Sequence, residues 1–194
     1  MINLRYPLIL ASNSPRRQQL LREAGFEFTI QTLSVDEDFP VSMKVVEIPA
    51  FLARKKAEGL LHLSMENIIL SADTIVVCND RILGKPESSL EAYDMLTLLS
   101  GKSHRVYTGV CLAFNNQCKT IVEETEVKFK DLNRGEIDYY IKHYAPMDKA
   151  GAYGIQEWIG LIGITRITGS YLNVVGLPVA QVYIMLRELN LIAG

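Results

Sequence analysis

Apolar segments of strand length alternate along this chain with capped segments of helical period, and paired turn residues break the series. Leu8-Ile9-Leu10-Ala11 reads as a buried strand running into Ser12-Asn13-Ser14-Pro15-Arg16-Arg17. There Ser14 can cap a helix that has Pro15 at its first position and ends at Gly25. Pro49 opens a second helix with Ala50, Ala53, Ala57, Leu60 and Leu61 near one face. Ile68 to Val77 is a strand, and Asn79-Asp80 turns it into Arg81-Ile82-Leu83. Ser88-x-x-Glu91 is a capping-box pattern before Ala92, Met95, Leu96 and Leu99, and Ser100-Gly101 stops that helix.

Tyr107 to Phe114 and Thr120 to Phe129 form a hairpin about Asn115-Asn116, with the polar face of the second strand toward water. Asn133-x-x-Glu136 caps a helix presenting Ile137, Tyr140, Ile141 and Tyr144. Leu161 to Ile167 and Tyr171 to Val175 read as strands, and Pro178 opens a last helix carrying Val179, Val182, Tyr183, Leu186 and Leu189. The expected fold is α/β, with a mixed β-sheet flanked by helices.

No repeat or linker divides the chain, so a single domain over residues 1–194 is expected. At that length it can bury roughly 70% of the surface its unfolded form exposes and needs no staple. A net charge of -2 gives no global reason to bind nucleic acid or an anionic membrane. Cys78, Cys111 and Cys118 form no Cys-x-x-Cys pair, and His62, His104 and His143 lack metal-ligand spacing, which fits a reduced, cytoplasmic compartment. No apolar stretch approaches the ~20 residues of a membrane span.

Two arginines in the first turn of a helix, Arg16 and Arg17, face the positive end of its dipole, and an anion there would relieve the conflict. Solvation or pairing with surface carboxylates is the other reading of such a pair. Asp73 interrupts the apolar run Ile68 to Val77, on the same side as Ser71 and followed by Thr74. A carboxylate in that setting needs a metal, a lysine or a hydrogen-bond network, or else sits at a strand end bonded to loop amides. Asp36-Glu37-Asp38 could supply oxygen ligands to Mg²⁺, though a short acidic run is otherwise solvated loop. Arg54-Lys55-Lys56 reads as a wet helix face, whereas Gly and Pro fix the loop around Lys85.

Asp148 to Gln156 mixes glycines with charged and amide groups, as expected where backbone approaches a ligand, or in a glycine-rich turn. Gly101-Lys102-Ser103 lacks the earlier glycine of a P-loop, and no Gly-x-Gly-x-x-Gly is present.

Taken together, Ser12-Asn13-Ser14-Pro15-Arg16-Arg17, Ala72-Asp73-Thr74, Gly84-Lys85-Pro86, Asp148 to Gln156 and Gly169-Ser170-Tyr171-x-Asn173-Val174-Val175-Gly176-Leu177-Pro178 resemble the Maf family of nucleoside triphosphate pyrophosphatases, in order along nearly the whole chain. The resemblance implies a two-lobed α/β domain with an elongated mixed sheet, related to the inosine triphosphate pyrophosphatase architecture, in a cytoplasmic homodimer. It implies hydrolysis of a nucleoside triphosphate between the α and β phosphates with Mg²⁺ or Mn²⁺. By motif match Asp73 would be the proton acceptor, Glu37 and Asp73 would hold the metal, and Ser14, Arg17, Lys56 and Lys85 would bind the phosphates. Subfamilies differ at the positions of Arg16, Thr74 and Gln156, and this combination resembles the branch acting on dTTP and UTP rather than on 7-methyl-GTP. Asn13 and Glu157-Trp158 depart from the usual pattern, the latter beside the implied base pocket. The family is also associated with inhibition of septum formation, so a nucleotide-binding regulator of cell division is the alternative reading.

Overall fold

The protein, seen in a computed structural model, is described over residues 2–193; Met1 and Gly194, the outer bounds of the expected domain, lie outside the described residues. The strands form a mixed sheet in the order β2 (Thr29–Ile30), β1 (Leu8–Leu10), β3 (Ile68–Cys78), β5 (Ser103–Phe114), β6 (Gln117–Phe129), β7 (Ile164–Thr168), with β4 (Arg81–Leu83) paired to β3. Two compact units divide the chain, one comprising residues 2–73, Thr108–Glu123 and 176–193, the other Thr74–Tyr107 and Glu124–Val175.

In the first unit β1 (Leu8–Leu10) lies between β2 (Thr29–Ile30) and β3 (Ile68–Cys78), parallel to both. The Ala11 amide continues the pairing by donating to Leu70 O at 2.7 Å. Helix α1 (Pro15–Glu23) follows, and Gly25 ends it with φ 81°. Ser14 is its extended N-cap, but its side chain makes no capping bond; its own N–H donates to Ser12 Oγ at 3.3 Å. Helix α2 (Ile48–Glu58) is entered through a 3-10 turn, Val45–Glu47. Its buried residues Ala53 and Ala57 pack with Leu60, Ile9, Ile69, Cys111 and Ala113, small side chains that let helix and sheet approach closely. The approach is closest at Gly109, where a Cβ would meet Pro49 C at 2.1 Å and Ala50 N at 2.2 Å.

In the second unit the end of β3 pairs antiparallel with β4 (Arg81–Leu83) through Asn79 and Asp80, both left-handed. Asn115 and Asn116 make the same kind of turn between β5 (Ser103–Phe114) and β6 (Gln117–Phe129), which belong in part to each unit. Along β6 the expected alternation holds, with Thr125, Val127 and Phe129 buried. Helix α3 (Ser89–Leu99) is capped by Ser88, which accepts from Glu91 N–H; Glu91 itself accepts from Glu87 N–H, so the box is not reciprocal. Helix α4 (Arg134–Tyr144) has the complete Asn133–Glu136 box and buries Ile137 and Tyr140.

Two expected strands are corrected. The run Leu161 to Ile167 begins as helix α5 (Trp158–Gly163), and only β7 (Ile164–Thr168) is strand, antiparallel to β6. A short apolar run does not separate strand from buried helix, and the Gly160 and Leu161 amides bonding to Glu157 O decide it. Tyr171 to Val175 is helix α6 (Tyr171–Val175) despite its β-prone composition. Buried Asn173 fixes it tertiarily, donating to Val106 O at 3.1 Å and to Thr125 Oγ1 at 2.9 Å. Helix α7 (Val179–Glu188) closes the first unit on Val182, Met185 and Leu186, whereas Tyr183 and Leu189, expected on that face, are exposed.

Candidate active site

The two sides of a β-strand alternate, so Ser71 and Asp73 project from β3 in one direction, and α2 lies there. Ser71 Oγ donates to Ala53 O at 2.5 Å, and one helical turn further on Lys56 Nζ meets Asp73 Oδ1, also at 2.5 Å. Glu37 Oε1 lies 2.7 Å from the same ammonium. Lys56 and Asp73 are largely covered, their side chains 18% and 13% exposed, while Glu37 on its loop is 58% exposed. Asp73 therefore has the lysine that its apolar surroundings demand. The wet face expected of Arg54-Lys55-Lys56 is corrected at Lys56, which turns inward, while Arg54 pairs with Glu58 at the surface.

Arg17 joins this group from α1. Its Nε donates to Gly176 O at 2.8 Å and its Nη1 to Ser12 Oγ at 3.2 Å. Burial lowers the guanidinium's affinity for its proton, and the Asp73 and Glu37 carboxylates raise it against the repulsion of Arg16. Arg16 and Ser14 lie partly buried at the start of the same helix. Ser12, whose hydroxyl anchors both Arg17 and the Ser14 amide, opens the motif read from the sequence but has no role assigned there; its place ahead of a cationic helix start was the available signal.

Two carboxylates converging on one ammonium show that a cation is already held here, and a hard divalent ion needs only one or two carboxylates beside water and phosphate oxygens. The donor set fits such an ion. Among the described residues no cluster of three or more His, Cys, Asp or Glu suggests an all-protein metal cage.

The second unit holds the remaining sequence-derived positions. Thr74 follows Asp73 in β3 and is partly buried. Lys85 is exposed on the loop after β4, and Gly84 O accepts from Gly151 N–H at 3.0 Å, joining the Lys85 loop to the glycine-containing segment 148–156. Gly151 packs on Val76, whose Cγ1 a Cβ would meet at 3.0 Å, in keeping with the reading of this segment as a glycine-rich turn. Its φ of 69° suits glycine at that turn. Gln156 is exposed at the end of the segment. Trp158 packs on Tyr139 with ring centroids 4.7 Å apart and the planes tilted, and Glu157 bonds to Lys149 and Tyr140. His104 is spent on packing: its Nε2 is 2.8 Å from Tyr153 Oη, and burial lowers its pKa to about 4.

The family described as Maf-like protein matches residues 7–189. The chain belongs to the Maf family. Among its relatives, a protein of Bacteroides fragilis named dTTP/UTP pyrophosphatase is 47% identical over 95% of this chain and 97% of that one. One of the same name from Cytophaga hutchinsonii is 47% identical, covering 90% of this chain and 80% of the other. In structure the chain is similar to the Ham1 protein of Staphylococcus aureus, with a TM-score of 0.46 and 14% identity over 80% of this chain and 90% of that one. No helix of the described residues is long and apolar enough to cross a membrane.

Proposed function

We propose that this Maf-family chain is a nucleoside triphosphate pyrophosphatase that hydrolyses dTTP and UTP to the monophosphate and pyrophosphate. The observation that carries this reading is the Lys56 ammonium held between Asp73 and Glu37, with Arg17 in electrostatic reach of both carboxylates. Relatives of that activity, 47% identical over nearly the whole chain, support the substrate class.

Asp73 is the proton acceptor: it takes a proton from the water whose oxygen bonds to phosphorus as the phosphoanhydride bond to the pyrophosphate leaving group breaks. Lys56 and Arg17 hold phosphate oxygens and offset the charge that spreads over them. Ser14 and Lys85 complete the phosphate contacts. Asp73 and Glu37 would hold Mg²⁺ or Mn²⁺, which supplies Lewis-acid stabilisation of the phosphate oxygens. A single domain acting as a cytoplasmic homodimer goes with this reading.

Arg16, Thr74 and Gln156 serve base choice, since their hydrogen-bonding groups suit the carbonyl and imide edge of thymine or uracil. No acidic residue stands at Thr74 or Gln156 to pair with the positive charge of 7-methylguanine. The neighbouring Glu157 carboxylate is engaged by Lys149 and Tyr140. Pyrophosphate release is therefore expected to be fast from dTTP and UTP, slow from 7-methyl-GTP, and dependent on Mg²⁺ or Mn²⁺. A larger kcat/KM for 7-methyl-GTP than for both pyrimidine nucleotides would overturn the substrate assignment, and binding without turnover would favour the regulator.

Phosphate clamps act in both the ground and transition states, so Lys85→Ala and Arg17→Ala are expected to raise KM and lower kcat, together costing at least about tenfold in kcat/KM. The two should part in stability. Exposed Lys85 costs nothing measurable, whereas Arg17→Ala also lowers Tm because it strands the Gly176 carbonyl. Steady-state kinetics beside thermal unfolding checks both, and unchanged kinetics would return these cations to plain surface and packing roles.

A further inference from the structure

Gln156 sits on a tight turn whose two ends are tied to one buried hydroxyl. Glu157 N–H donates to Gly154 O at 3.0 Å, closing a turn of residues 154–157 with Gln156 in its third position. The Gly154 N–H donates to Tyr140 Oη at 2.9 Å, and the same Tyr140 hydroxyl donates to Glu157 Oε2. Thus the first and last residues of the turn meet on a single oxygen of a fully buried α4 side chain. Lys149 Nζ holds the other carboxylate oxygen, Glu157 Oε1, at 3.1 Å, with side chains 8% and 20% exposed.

The arrangement leaves no slack. A Cβ on Gly154 would stand 2.7 Å from Glu157 Cδ and 2.8 Å from its Oε2, so a larger residue there would push the carboxylate aside from the turn. Burial, with the Glu157 carboxylate beside it, pushes the Tyr140 phenol well above its ordinary range, which keeps it a donor. Ile155 is buried under the turn while Gln156 is left pointing outward. A plain surface turn needs no such support, yet a buried phenol, a carboxylate and a covered lysine all serve these four residues.

We propose that Tyr140 and Glu157 are positioning residues for base selection, fixing the backbone of the 154–157 turn so that the Gln156 amide is held ready for the edge of a uracil or thymine base. The inference rests on the reading of Gln156 as a base-selecting residue. It also gives Glu157, a departure from the family pattern, a definite task. An amide held by a rigid turn discriminates between a carbonyl and an amino group on the base edge, because the wrong base leaves a donor or acceptor unpaired; an amide on a loose turn adapts to either.

The test is a double-mutant cycle read as the ratio of kcat/KM for UTP to that for CTP, with thermal unfolding alongside. Tyr140→Phe and Glu157→Gln are each expected to lower the ratio about tenfold. In a Gln156→Ala background, which has already lost the ratio, neither should lower it further. A role confined to stability would shift Tm and slow both nucleotides equally, leaving the ratio intact, and that result overturns the inference. So does a ratio that falls by the same factor with and without Gln156. Should Tyr140→Phe fail to fold, Glu157→Gln carries the same cycle, since it keeps the shape and removes only the charge. If the unaltered protein releases no pyrophosphate from dTTP or UTP, the functional reading fails by itself, and calorimetric binding of UMP against CMP across the same variants still decides the positioning role.

Discussion

Asp73→Asn is expected to lower kcat by about 10²–10⁴-fold, the usual contribution of a positioned general base, while the protein keeps its fold and still binds nucleotide. The expectation follows from what surrounds the carboxylate. Asp73 lies in β3 between buried Ala72 and buried Ile75, and Oδ1 is occupied by Lys56 Nζ at 2.5 Å. An asparagine has the same shape and retains a carbonyl oxygen for that ammonium, and Glu37 still accepts from it at 2.7 Å, so the lysine is not stranded. What is lost is the capacity to take a proton from water and one anionic oxygen for a divalent ion. Measuring kcat for pyrophosphate release from dTTP, together with calorimetric binding of a non-hydrolysable dTTP analogue, separates the effects. Turnover within threefold of the unaltered protein would remove Asp73 from the role, and loss of binding equal to the loss of rate would make it a binding group instead.

How much of this centre was legible in the sequence depends on whether the signal was local. A carboxylate breaking an apolar strand is visible in Ile68 to Val77, and period two correctly put Ser71 beside it. Composition alone hides the partner, because Lys56 follows Arg54 and Lys55 in what reads as a solvated face; the motif match singles Lys56 out, but for phosphate and not as the lysine of Asp73. Only the small residues Ala53 and Ala57, by letting α2 sit close on the sheet, bring the third basic side chain inward. Glu37 is one of three adjacent acids that the motif match alone tells apart, since nothing in the pattern Asp36-Glu37-Asp38 itself distinguishes the one that reaches Lys56 from the one that lies 3.8 Å from Lys55.

The elements divide in the same way. Caps and left-handed turns are short-range devices, and Gly25, Asn79-Asp80, Asn115-Asn116 and the Asn133–Glu136 box stand where the residues say they should. Tyr171 to Val175 was misread because its helix is fixed from outside, by Asn173 bonding to Val106 and Thr125, across 67 and 48 residues of chain. Tyr140 was visible only as a member of an apolar helix face, although its hydroxyl is what gathers the Gly154–Glu157 turn. Long-range polar contacts of this kind leave no periodic trace.

Gly109 left no trace either, and it carries the second large prediction: Gly109→Ala is expected to destabilise the protein by about 3 kcal/mol or more, at the upper end of what overpacking costs. The added carbon would lie 2.1 Å from Pro49 C, 2.2 Å from Ala50 N and 2.3 Å from Pro49 O. These are backbone atoms of the first turn of α2, and no rotamer change can move them aside. The helix must lift from β5, and with it go Ala53 and Lys56, the residues that hold Ser71 and Asp73. Stability and catalysis should therefore fall together, with Tm lower by at least ~6 °C for a chain of this size and kcat/KM for dTTP reduced even where the protein remains folded. Gly84→Ala is the control for Tm, because a Cβ there meets nothing within 4 Å. A Gly109→Ala protein with unchanged Tm would show that α2 does not rest on β5 at this point, whereas a lowered Tm with full activity would show that the Lys56–Asp73 pair does not depend on how closely the helix is seated.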